Sequence, residues 1–266
     1  MSELLRNPAA LFDIRGKVAI VTGASGAFGS LAARVLAAAG ARMVLAAGNA
    51  EELERTAAAC REVGAEVATV CRRPNAEADC EAIMDTAAGR FGGVDILAVG
   101  SGLNDPCPIV DMSPQRFESV MSGNVTGAWL LCRAFGRRAI AQGRGGKVIL
   151  MSSARGKLGH PAGYSAYCAS KAATDGLTHA LGCEWGKYGI TVNAIAPTVF
   201  RSALTAWMFE DTEKGRATRE GMLARIPLGR LGEPEDLAGP LLFLASRASD
   251  FHTGHTLYAD GGYTAG

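Results

Sequence analysis

No CxxC pair occurs in the sequence: its seven cysteines, at 60, 71, 80, 107, 132, 168 and 183, are odd in number and scattered. Neither a disulfide framework nor a zinc site is expected, and no metal ligand set is predicted. An excess of one charge is also lacking. The formal net charge is +1, which argues against nucleic acid or an anionic membrane as partner. Long apolar runs are missing too. The longest charge-free stretch, 18–33, has 16 residues and is interrupted by Thr22, Ser25, Ser30 and glycines. That is too short and too polar to span a bilayer. The N-terminal MSELLRNPAALFDIRG has no basic region leading into an apolar one, so no secretory signal is expected. No linker, low-complexity block or fixed repeat divides the chain. The remaining reading is a cytoplasmic globular protein of one domain, with 48% hydrophobic residues to build its core.

What the chain does have is alternation. Short apolar runs at 18–21, 43–46, 67–70, 96–99, 148–151, 191–195 and 256–258 read as strands. Between them, 28–39, 51–63, 76–91, 117–141, 164–185 and 235–245 carry helical spacing. Strand–helix alternation of this kind predicts right-handed βαβ crossovers, hence an α/β fold with a parallel sheet of about seven strands and helices on both faces. The segment 198–227 breaks the rhythm, polar in its middle and apolar at its ends. It reads as a lid over a site or as a long surface excursion.

"VAIVTGASGAFGS" sets a strand against a turn of small residues and then a helix. Glycines there allow a tight reversal and let a pyrophosphate approach the helix N-terminus, where free N–H groups favour anions. Further on, "YSAYCASK" places Tyr167 four residues before Lys171, and on a helix these share a face. An ammonium near a phenol lowers its pKa from about 10 and makes it a usable acid/base. Strand 148–151 ends in Ser152-Ser153, a hydroxyl at the edge where α/β folds bind ligands. Asn124 lies within the long helical stretch before it.

Together these motifs resemble the short-chain dehydrogenase/reductase family in its compact single-domain form, over about residues 14–264. "GKVILMSS", Tyr-x-x-x-Lys, "ITVNAIAPT" and "YADGGYTAG" carry the likeness. The resemblance implies a Rossmann-like doubly wound sheet, a homotetramer, and a reversible alcohol/ketone oxidoreductase using NAD or NADP. It implies Asn124, Ser153, Tyr167 and Lys171 as the catalytic set. Tyr167 would exchange the proton and Ser153 would hold the substrate oxygen. Lys171 would lower the tyrosine pKa and bind the nicotinamide ribose, and Asn124 would anchor a water leading to solvent. Ser152 stays open for the serine role, because the loop from 153 to 167 is one residue longer than usual.

Cofactor contacts are implied at Gly23, Ser25, Ala27, Phe28 and Gly29, with Ala27 where the family has its middle glycine. Gly48, Asn49, Arg72, Gly100, Pro197, Thr198 and Ser202 join them, besides Tyr167 and Lys171. Val99 replaces an asparagine that supports the sheet in the family. The acidic residue that selects NAD at the end of the second strand is here Ala47, with Gly48 next. Arg72-Arg73, closing the third strand, either meet a 2′-phosphate or face solvent; the first favours NADP.

For the substrate, Arg155, Lys157 and His160 in the loop before Tyr164, and Arg201 at the lid's start, suggest a polar or anionic molecule of sugar-acid or hydroxyacid type. The same charges also fit a rim or subunit contact. Tyr164 reads as a pocket wall, and Trp207 with Met208 and Phe209 as an apolar closure. A 3-ketoacyl-thioester or apolar ketone reductase stays open. So does a non-catalytic dinucleotide-binding protein, since fold does not fix function, although that reading predicts loss of the Ser–Tyr–Lys set. An isomerase or dehydratase of the extended family would need a larger domain after Ile195.

Overall fold

The computed structural model describes residues 6–202 and 205–266. Residues 1–5 of the stretch read for a secretory signal, and 203–204 of the segment read as a lid, lie outside it. Seven strands form one sheet in the order β3-β2-β1-β4-β5-β6-β7, with every pair parallel. They are β1 Val18–Thr22, β2 Arg42–Ala46, β3 Val67–Val70, β4 Ile96–Val99, β5 Gly146–Met151, β6 Ile190–Pro197 and β7 Thr256–Ala259.

β1 and β4 are buried at every residue, as a parallel sheet covered on both faces requires. Their side chains alternate between two cores. Val18, Ile20, Leu97 and Val99 pack into one, and Ala19, Val21, Ile96 and Ala98 into the other. The first core is closed by α3 Glu77–Phe91, α5 Gly127–Gln142 and α6 Ser165–Trp185. The second is closed by α1 Ala27–Ala38, α2 Ala50–Glu62 and α8 Ala238–Ala245. The strand order reverses between β1 and β4, and the crevice at their carboxyl ends is where such sheets bind ligands.

Three elements differ from the sequence expectation. The predicted helix 117–141 starts earlier, as α4 Pro114–Met121, because Ser113 Oγ accepts from Arg116 N at 3.4 Å and Pro114 suits the first turn. It then passes through a π-helical turn, Ser122–Thr126, before α5. The helix predicted from 235 opens as a 3₁₀ turn, Pro234–Leu237, closed by reciprocal bonds between Glu233 and Asp236. The 198–227 segment holds a 3₁₀ turn, Ala206–Phe209, and a helix, α7 Glu213–Leu223, capped by Thr212. Among the described residues no helix is long and apolar enough to cross a membrane, and no group of side chains has metal-ligand clustering.

Candidate active site

The glycine turn is held by backbone against backbone. A Cβ on Gly23, which has φ +64°, would stand 2.6 Å from the Gly100 carbonyl and Ser101 N, and one on Gly29 would meet the Gly23 carbonyl. A Cβ on Gly100 would likewise stand 2.9 Å from the Thr22 carbonyl oxygen and 3.1 Å from Gly29 Cα. The turn is thus drawn against the end of β4. α1 begins without a capping side chain and without an acidic residue in its first turn, so its leading N–H groups are available to an anion. Ser25 and Phe28 are half-buried, while the Ala27 methyl is exposed and fills none of this turn. Gly23, Gly29 and Gly100 make a cradle that any side chain would occlude, and these residues fit a dinucleotide pyrophosphate. Val99 lies in the core, and past the β1–β4 ladder Ser101 Oγ donates to Thr22 Oγ1 at 2.9 Å.

At the far end of β2, Ala47 is buried and Gly48 exposed. Asn49 accepts from Glu52 N at 3.1 Å as the cap of α2, so its side chain has a structural task there. The arginine pair divides. Arg72 is held by Asp79 at 2.9 Å. Arg73 instead lies over Gly48, where an added Cβ would come within 2.5 Å of Nε.

Asn124, Ser153, Tyr167 and Lys171 converge at the carboxyl ends of β4 and β5. Lys171 Nζ, on α6, donates to the Met151 carbonyl at 2.7 Å and lies 5.5 Å from the Tyr167 ring centroid. The Ser153 hydroxyl lies on the phenol's side, near enough to act on the Tyr167 proton. Ser152 is turned inward, its hydroxyl 3.5 Å from the Lys171 carbonyl, so of the two serines Ser153 is the one beside the phenol. Asn124 sits in the π turn, a feature frequent at functional sites. Its amide donates to the Leu103 carbonyl and the Ser170 hydroxyl, both at 2.9 Å, and accepts from Leu103 N at 2.7 Å. Ser170 in turn donates to the Tyr167 carbonyl at 2.8 Å. Above Gly102, Asn124 Oδ1 and Lys171 Nζ flank one point, 3.0 and 3.7 Å from where a Cβ would stand.

The electrostatics depart from the sequence expectation. Burial raises the Tyr167 pKa; the Ser153 hydroxyl opposes this, Tyr164 and Cys168 add to it, and Arg155 also draws it down. Burial takes the Lys171 pKa to about 8, with Asp175 opposing, because desolvation disfavours the charged form. Arg155, read from the sequence as a substrate or rim residue, also acts on the phenol.

The substrate side is aromatic and basic. His160 and Tyr164 pack with ring centroids 4.4 Å apart, and Tyr164 meets Tyr167 edge-on at 6.2 Å. The His160 pKa is lowered by burial first, then by Arg155 and Arg225. Lys157 donates to the Thr264 carbonyl at 3.1 Å, and Arg201 pairs with Glu233 at 3.1 Å; both have structural partners. Trp207 carries Lys214 over its ring at 5.1 Å and is 38% exposed. Pro197 and Thr198 are half-buried at the end of β6, and Ser202 N is held by Thr205 Oγ1 at 2.9 Å. The sequence reading missed Tyr263 and Arg225, which stand at this end of the site; only the terminal "GGYTAG" gave a signal for the first.

With this geometry in view, the comparisons are informative. A family described as enoyl-(acyl carrier protein) reductase matches residues 23–264. An uncharacterized oxidoreductase of Mycobacterium tuberculosis is 54% identical over 96% of this chain and 94% of its own. D-threitol dehydrogenase of Mycolicibacterium smegmatis is 37% identical over 95% of each. The crystal structure of gluconate 5-dehydrogenase from Burkholderia cenocepacia, in complex with NADP and tartrate, superposes with a TM-score of 0.90 at 32% identity, covering 98% of this chain and 100% of that one. The chain belongs to the short-chain dehydrogenase/reductase family, and is an oxidoreductase of that family.

The buried lysine makes a testable statement about stability. Its folded pKa, about 8, lies below the ordinary 10.5. The unfolded chain therefore binds more protons between these values, and stability rises with pH across that window. Below pH 8 the buried charge costs about 3 kcal/mol. Lys171→Met is expected to be more stable than the wild type at pH 7 and to lose that advantage by pH 10, measured by urea unfolding at both pH values. A difference that does not change with pH removes the buried-charge account.

Proposed function

We propose that this chain interconverts a secondary alcohol and a ketone with a nicotinamide dinucleotide, Tyr167 acting as general acid/base. The observation that carries this is the meeting of the Ser153 hydroxyl, the Tyr167 phenol and the Lys171 ammonium at one strand edge, beside the glycine cradle. The cofactor, when bound, supplies or accepts the hydride. The protein's share is to hold and move one proton. Ser153 positions the substrate oxygen against the phenol. Tyr167, kept protonated by burial, gives its proton to a ketone oxygen in reduction and takes one from the alcohol in oxidation. Lys171 holds the ribose end of the cofactor, and Asn124 fixes the helix turn that carries the proton path outward. Residues 198–227 are the proposed cover, and the whole chain acts as one catalytic domain in the cytoplasm.

Tyr167→Phe is expected to leave cofactor binding within about twofold and to lower turnover by about a hundredfold or more. The check is nicotinamide absorbance with a panel of sugar acids, hydroxyacids and polyols. Full turnover in that variant would remove Tyr167 from the mechanism.

NADP is the proposed cofactor over NAD. Support comes from the missing carboxylate at Ala47, from Arg73 lying over Gly48, and from the NADP complex of the related gluconate 5-dehydrogenase. Arg73→Ala should weaken NADPH about tenfold while sparing NADH, and Arg72→Ala should change neither, as read by nicotinamide fluorescence. Equal NADPH affinity in Arg73→Ala and wild type would rule this assignment out.

The proposed assembly is a homotetramer in which α5 and α6 meet their copies. A groove of about 540 Å³ between these helices is lined by Trp129, Gly136, Ile140 and Trp185, and Trp129 is 49% exposed. Buried aromatics are what such contacts favour. Sedimentation at micromolar concentration should give the tetramer, and Trp129→Glu should dissociate it. A wild-type monomer contradicts the assembly.

A further inference from the structure

Three stretches far apart in the chain meet on the ring of Tyr263. Arg155, in the turn after β5, lies 5.4 Å from the ring centroid and donates Nη2 to the phenol oxygen at 3.0 Å and Nη1 to the Gly159 carbonyl at 2.8 Å. Arg225, just past α7 on the lid side, lies 4.3 Å from the same centroid. Tyr263 is 2% exposed, in a turn fixed by Asp260, whose carboxylate accepts from Gly262 N and Thr264 N, both at 2.9 Å.

Neither guanidinium has an ion-pair partner among the described residues. Arg72, Arg116, Arg138, Arg201 and Arg230 all sit on carboxylates. The acid nearest Tyr263 in sequence, Asp260, has both oxygens on backbone N–H groups. Two groups each within 5.4 Å of one centroid are close enough to repel, and the ring offsets only part of that. The arrangement lacks an anion. Arg155 keeps free donors, since two of its five N–H groups serve neutral acceptors. The place also suits a substrate. From Tyr167 the aromatic series runs through Tyr164 to His160, and both arginines act on that imidazole.

We propose that Arg155 and Arg225, braced on Tyr263, form a clamp for a substrate carboxylate, so that the substrate is a hydroxy acid or oxo acid, not a neutral polyol. Arg225 is then a specificity-determining residue delivered by the lid. This rests on the alcohol/ketone reading above for what happens to the bound molecule, and the clamp itself is tested separately.

The test is calorimetric titration of the full chain, with and without NADPH, by D-gluconate and D-glucitol, which differ at one end as carboxylate against hydroxymethyl. Gluconate should bind at least about tenfold more tightly than glucitol. Arg225→Gln should abolish most of that preference, Arg225→Lys should restore part of it, and Tyr263→Phe should weaken gluconate alone. NADPH affinity should be unchanged in the Arg225 variants. Equal binding of the two ligands, no binding of gluconate, or a preference that survives Arg225→Gln overturns the clamp. Failure of NADPH to bind any form would remove the reaction reading instead, while the gluconate titrations would still decide the clamp.

Discussion

Lys171 is buried and donates to the Met151 carbonyl at 2.7 Å, and this contact fastens α6 to the end of β5. An ammonium in that position is disfavoured by desolvation, so it persists because the surrounding helix and strand leave it no other partner. Everything chemically useful stands within a turn of it. Tyr167 is one helical turn back, Ser153 two residues beyond Met151, and Asn124 across the Gly102 gap. Burial of the lysine and burial of the phenol are one constraint acting on both. It lowers the first pKa to about 8 and raises the second, driving the two groups' proton affinities apart, each toward its neutral form.

The sheet imposes a second order. Because its strands are parallel, all their carboxyl ends lie at one edge, and the chain must return by a helix each time. The glycine turn after β1, Gly100 after β4 and Ser153 after β5 are therefore neighbours in space though distant in sequence. Close packing of Gly23, Gly29 and Gly100 leaves the helix N-terminus of α1 facing the same edge, where its N–H groups can meet phosphate oxygens. The residues proposed for cofactor and for substrate share an edge for topological reasons.

Much of this was legible from short-range pattern. The seven strands were marked by their apolar runs, and Tyr167 with Lys171 by a spacing that any helix turns into one face. Asn124 stood out by its motif, but the π turn that presents it did not, since a turn of five residues is too short to be read from apolar spacing. The serine pair showed the same limit. Ser152 and Ser153 are adjacent hydroxyls, and only the direction of β5 at its last residue separates the one facing Lys171's backbone from the one facing the phenol. Arg72 and Arg73 pose the same problem after β3, where adjacent guanidiniums take different partners, one Asp79 and the other the surface over Gly48.

The amino-acid sequence by itself determined the alternation of strand and helix, the glycine turn and the helical face bearing a phenol and an amine, because each is a matter of neighbours within one or two turns of chain. Tertiary structure alone decided which arginine overlies Gly48, which way burial moves the Tyr167 proton, and that Arg155, Arg225 and Tyr263 share one ring. Those depend on how far water is excluded and on which remote segments touch, and neither quantity is carried by local spacing.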